Sequence, residues 1–185
     1  MERDRIIGAI RGKAEELGAS STKLVSTRDI YAEHWVRQKC QYGCPRYAKR
    51  FTCPPYSPTP EETSRILRGY RQALLIQFAD VQDEKRPKVH EIMFKLEREA
   101  FLSGLYKAFA YAAGPCRLCA RCVAEEARSP NEYSKKECKY PEKARPSLEA
   151  AGVDVFHTAS KAGYPIRVIR QTGDCFTFFG LLLLD

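Results

Sequence analysis

No stretch of this 185-residue chain stays apolar long enough to cross a bilayer. Its most apolar run, CFTFFGLLLLD, reads as a buried strand. The first residues, MERDRIIGAIRGKAEELG, lack the apolar core of a secretory signal, so the expected location is the cytoplasm. Positive charge is in excess, with a net charge of +8, but no polybasic tract concentrates it. A zinc-finger helix, an RNP pattern and a GxxG loop are all missing, and nucleic acid is not an expected partner. Also missing are a Gly-rich phosphate loop, a dinucleotide fingerprint, a GxSxG elbow and an HExxH pair, so no flavin or nucleotide site is recognisable. There is no internal repeat. Histidine is scarce, with three in all. His34, six residues before Cys40, is placed to ligate a metal, although a surface role is the plainer reading. His90 reads as solvated on a helix, and His157 as the end of a strand.

Cysteine, by contrast, is abundant, at eight residues. In a reducing compartment, many thiols at short spacing point to metal or redox chemistry rather than to disulfides. In GPCRLCARC, Cys116, Cys119 and Cys122 follow one another at three-residue steps, and Cys138 comes after fifteen more residues. Two residues between successive thiolates let one turning loop place three sulfurs on three irons of a cubane, with the fourth ligand supplied from elsewhere. Cys138, followed closely by Pro141, fits that role. A four-thiolate zinc site is the rival, although it takes its ligands as separated pairs and leaves a third evenly spaced cysteine surplus. A second set, Cys40, Cys44 and Cys53, has no fourth cysteine nearby. Cys175 completes it on one reading, and an exogenous ligand or water on the other. On a third, Cys53 and Cys175 are small buried hydrophobes.

The remaining pattern is α/β (or α+β), a single compact domain over 1–185 with a small mixed sheet, flanking helices and two cysteine-rich loops, 40–60 and 114–146. Ile6, Ile7, Ile10, Ala14 and Leu17 make a helical stripe over 2–17. TKLVS and QALLIQF read as strands, and STRDIYAEHWV (26–36) as a Thr27 cap followed by a brief helix or extended chain. Five prolines in 40–60 disfavour both helix and strand, and a bound metal would give so long a loop a reason for order. Thr59, Pro60, Glu61 and Glu62 spell a helix start. A long helix is expected from Pro87 to about Ala112, a strand at VDVF, and a terminal hairpin of YPIRVI and CFTFFGLLLL turned at Gly173–Asp174.

Three blocks, VRQKCQYGCPRYAKRFTCPPYSPTPEETSRIL, AGPCRLCARC and CKYPEKARPSLEAAGVDVF, resemble the family of predicted metal-binding proteins known as domain of unknown function 2284, whose members occur mostly in anaerobic microbes. The resemblance runs from about residue 20 to the C-terminus. It implies metal or iron–sulfur binding by Cys40, Cys44, Cys53, Cys116, Cys119, Cys122 and Cys138. It also implies a polar scaffold of Arg145, Ser147 and Glu149 around the second site. The function expected is a protein holding one or two 4Fe–4S clusters and moving electrons between redox partners. The net charge suits either an acidic partner or a merely solvated basic surface. The alternatives are an iron–sulfur enzyme with an open iron at the first site and a zinc-stabilised interaction module.

Overall fold

A computed structural model describes residues 2–81, 86–129, 135–168 and 176–185. Among these residues, four strands form one sheet in the order β1-β2-β4-β3: β1 Ser21–Ser26, β2 Gln72–Val81, β3 Phe109–Tyr111 and β4 Phe176–Leu184. The three ladders are antiparallel. The parallel contact that the expected mixed sheet needs is a single bridge beyond β3, between Ala112 and Ser147.

Both faces of the sheet are covered. On one, Leu74, Ile76, Phe78, Leu182 and Leu184 pack against Ile7, Ile10 and Ala14 of α1 (Glu2–Glu16) and Val89, Met93, Leu96 and Ala100 of α4 (Arg86–Leu102). On the other, Ala73, Leu75, Leu181, Leu183 and Phe179 meet Leu67 of α3 (Pro60–Leu67), Ala159 of α5 (Val155–Lys161) and the segment Leu148–Val153. Because successive strand residues point to opposite faces, a strand buried on both sides reads as an unbroken apolar run, which accounts for the four consecutive leucines of β4.

Helix α3 starts as its sequence signals: the Thr59 hydroxyl accepts from the Glu62 amide, and the Glu62 carboxylate accepts from the Thr59 amide. Five other expectations are corrected. At the head of 26–36 the cap is Ser26 rather than Thr27: it starts a single 3-10 turn, Thr27–Asp29, and α2 (His34–Gly43) follows, so Cys40 lies on a helix rather than in the proline-rich loop. Helix α4 ends at Leu102, ten residues early. Gly104 (φ 99°) turns the chain, its amide bonds to the Phe101 carbonyl, and the Leu105 amide reaches back to Ala100, a left-handed closure that frees Phe109–Tyr111 to become β3. VDVF is not a strand: the Asp154 side chain accepts from the His157 amide and starts α5 there. The terminal hairpin does not form over 164–168, which is irregular, and β4 takes β2 and β3 as its partners instead; Ile169 and the expected turn lie outside the described residues. His90, expected in solvent, is 2% exposed in the core under α4.

Candidate metal centre

Cys40 and Cys44 are one helical turn apart, and the Cys44 amide bonds to the Cys40 carbonyl at the end of α2. Residues four apart share a helix face, so both thiols leave on one side. The chain then returns through tight turns: Tyr47 bonds to Cys44, Lys49 to Arg46, and Cys53 to Arg50, while Tyr56 and Ser57 both donate to the Cys53 carbonyl. Ala48, in the left-handed region at φ 58°, donates to Pro54. From α2, one Arg37 guanidinium nitrogen donates to the carbonyls of Ser57, Pro58 and Ala150, at 3.1, 2.6 and 3.1 Å. These bonds help to order so long a loop, since one half-buried cation collects its Ser57 and Pro58 carbonyls and ties them to Ala150.

The trio is electrostatically coupled. Burial pushes the Cys53 thiol up to about 12, with Cys44, Cys40 and Cys116 adding to it. Cys40 is raised by burial, then by Cys44 and the carboxylate of Glu149, while Arg37 opposes. Cys40, Cys44 and Glu149 line an open groove together with Trp35, Lys39 and Phe156.

The second loop leaves the sheet at Ala112 and comes back beside it. The Ala112 amide bonds to Pro146, and Leu148 bonds to Ala112, so the excursion opens and closes at one point. Arg145 fixes the returning arm through a fork onto Glu97 of α4, at 2.8 and 2.5 Å. Within the loop, Cys116, Cys119, Cys122 and Cys138 line a single small cavity, walled by Phe51, Leu118, Tyr140 and Ala144. Burial pushes Cys116 up to about 11, against a backbone hydrogen bond from Leu118 and with the other three thiols adding. Burial raises Cys119 as well, with Cys122 and Cys138 adding and Lys139 and Arg50 opposing. Thiols so shifted stay protonated near neutrality until a cation displaces the protons.

Seven cysteines are free among the described residues, and Cys175 lies outside them. The two sets adjoin. Arg50, Phe51 and Thr52 of the first loop wall the cavity of the second, and Cys53 feels Cys116. Among the described residues, no three His, Cys, Asp or Glu side chains are gathered tightly enough, as they stand, to hold a single ion. The four thiols around the cavity share a space without meeting at a point. A donor set of four soft thiols around one cavity fits thiophilic metal, as an iron–sulfur cluster or, with the thiols drawn in, as zinc.

His34 joins neither set; its Nε2 pairs with Glu61 at 2.5 Å on the surface. His157 stacks on Tyr31. Of the polar trio expected around the second site, Arg145 supports that loop's arm and Ser147 caps the turn that follows by accepting from the Ala150 amide. Glu149 stands with Cys40 instead. Its placement was not readable from sequence, where it lies 109 residues from Cys40 and close to Cys138. Arg37, which ties the first loop to Ala150, and Glu125, which ties the two loops together, carry no local motif and were missed for the same reason.

An antiparallel sheet covered by helices, with two adjoining cysteine loops on its rim, defines a small mixed α/β protein of the metal-binding kind. The chain belongs to the family described as predicted metal-binding protein (DUF2284), which it matches over residues 23–184. No curated protein and no solved structure matches it. No helix among the described residues is long and apolar enough to cross a membrane.

Proposed function

We propose that Cys116, Cys119, Cys122 and Cys138 hold a 4Fe–4S cluster, that Cys40, Cys44 and Cys53 hold a second metal centre beside it, and that the protein passes electrons between partners. The observation that carries this reading is the lining of one cavity by the three evenly spaced cysteines and Cys138. The even spacing favours a cluster over zinc, because each thiolate then meets its own iron. When bound, the clusters would supply one-electron chemistry. The chain's own part is to exclude water with Phe51, Leu118 and Tyr140 and to bring the centres together through Arg50–Cys53. The net charge of +8 and the exposed Arg121 and Lys139 beside the second loop favour a partner with an acidic surface.

Anaerobic reconstitution with iron and sulfide, followed by metal and sulfide assays and EPR of the reduced protein, tests the proposal. Two reduced clusters so close are expected to give a broadened, spin-coupled spectrum. One tightly held zinc per chain with no sulfide would overturn it in favour of a structural module.

The groove along Cys40 and Cys44 favours a second reading, in which the first centre meets a small molecule. A change in its spectrum on adding small thiols or sulfide, with the other centre unaffected, would support that reading.

A further inference from the structure

We infer that the carboxylate of Glu149 is the fourth protein ligand of the first cysteine site. This rests on the reading that Cys40, Cys44 and Cys53 bind metal. Those three thiols come from one continuous segment, and three donors leave a fourth corner to be filled from outside it.

Glu149 lines the same open groove as Cys40 and Cys44, near enough to the Cys40 thiol for its charge to bear on it. Its stem reaches the groove, but its Oε2 oxygen is closed off from solvent and has no hydrogen-bond partner. Burial disfavours its charge, against its own backbone amide and the Ser147 hydroxyl. A buried carboxylate oxygen without a donor is costly, and native structures leave few such groups unexplained. A metal ion held with the neighbouring thiolates would satisfy it.

The turn carrying Glu149 is also over-determined, as a ligand-bearing turn needs to be. The Ala150 carbonyl accepts from Arg37 at 3.1 Å and from the Ser57 hydroxyl at 2.6 Å, so α2 and the first loop both grip it. The Ala151 carbonyl accepts from Thr63 on α3 at 2.7 Å. Gly152 closes the turn at φ 84°, so near α3 that a Cβ there would lie 2.8 Å from the Pro60 ring. The bonds that shape the cysteine loop therefore also deliver this carboxylate to it. Carboxylate oxygen is a harder donor than thiolate, so the site becomes a mixed one, three sulfurs and one oxygen, unlike its four-thiol neighbour.

The test compares full-length wild type, Glu149→Gln, Glu149→Cys and Cys175→Ala, each reconstituted anaerobically with iron and sulfide. Iron and sulfide per chain and EPR or Mössbauer spectra are read, with the Cys116–Cys138 centre as an internal control of folding. The expected result is that Glu149→Gln loses about half the iron or leaves a three-iron first centre, while the other centre persists. Glu149→Cys regains full iron with a shifted spectrum. If Glu149→Gln loses both centres, Glu149→Cys decides: recovery supports the assignment and failure to recover overturns it. Iron and spectra unchanged in Glu149→Gln overturn it while leaving the metal-binding reading intact, as does loss of the first centre in Cys175→Ala alone. A wild-type chain that takes up no metal overturns the parent reading, and this one with it.

Discussion

Arg50 of the first cysteine loop forms a buried ion pair with Glu125 of the second. The Arg50 side chain is 6% exposed and that of Glu125 20%, and Arg46 and Arg121 stand at 3.8 Å from the same carboxylate. One acidic side chain thus gathers cations from both loops where the two cysteine sets adjoin. The pair accounts for how two segments some seventy residues apart share a wall, which neither loop could form alone.

Glu125→Ala strands the buried Arg50 charge and should lower stability by about 3–5 kcal/mol, whereas Arg50→Ala should cost less, because Glu125 is partly exposed and keeps Arg46 and Arg121 beside it. Urea denaturation of the two single variants and the double variant checks this. The double variant should lose clearly less than the sum, and strict additivity would mean that the pair carries no coupling.

His90 predicts an acid limit. Burial dominates its surroundings and lowers its folded pKa below 6.5, although backbone groups of Ala113, Gly114 and Pro115 face the ring without closing a hydrogen bond. The folded state therefore prefers the neutral ring, and the unfolded chain takes up the proton first as pH falls. Its contribution is complete above about pH 6.5 and declines below it, by up to about 1.4 kcal/mol per pH unit. Thermal melts of wild type and His90→Leu between pH 7 and 5 should show a shallower acid slope in the variant; parallel slopes would refute the assignment.

Ala48 holds a left-handed conformation that an L-residue adopts at a cost of about 1–2 kcal/mol. Part of this is offset in a glycine variant by the freer unfolded chain, so Ala48→Gly should gain up to about 1 kcal/mol. A lower denaturation midpoint in the variant would show the position to be unstrained.

The ligand assignment separates cysteine from histidine. In protein purified without oxygen, Cys119→Ala should lose the visible absorbance and sulfide of the second centre, and His34→Ala should keep both, since His34 pairs with Glu61. Equal loss in the two variants would count against the assignment.

What the residues determine locally was legible in the sequence. The capped start of α3, the apolar stripe of α1, the doubly buried β4 and the three evenly spaced cysteines each follow from neighbours a few positions apart, where periodicity, capping and spacing act. The errors fell where the decision was not local. Alanines at Ala108 and Ala112 continue a helical stripe past Leu102, and the stop comes from the turn at Gly104 and the pull of β4 on Phe109–Tyr111. YPIRVI carries a strand-like pattern, yet β4 pairs with β2 and β3, strands far from it in sequence.

The cysteine spacing alone announced that this chain gathers thiols, because ligand geometry within a turn is a short-range property. Only the tertiary structure decided that the two sets share a wall, that Arg50 and Glu125 hold them there, and that Glu149 belongs with Cys40 rather than with its nearer neighbour Cys138. Those relationships join residues tens of positions apart, and sheet order and loop closure, rather than any local pattern, bring such residues into contact.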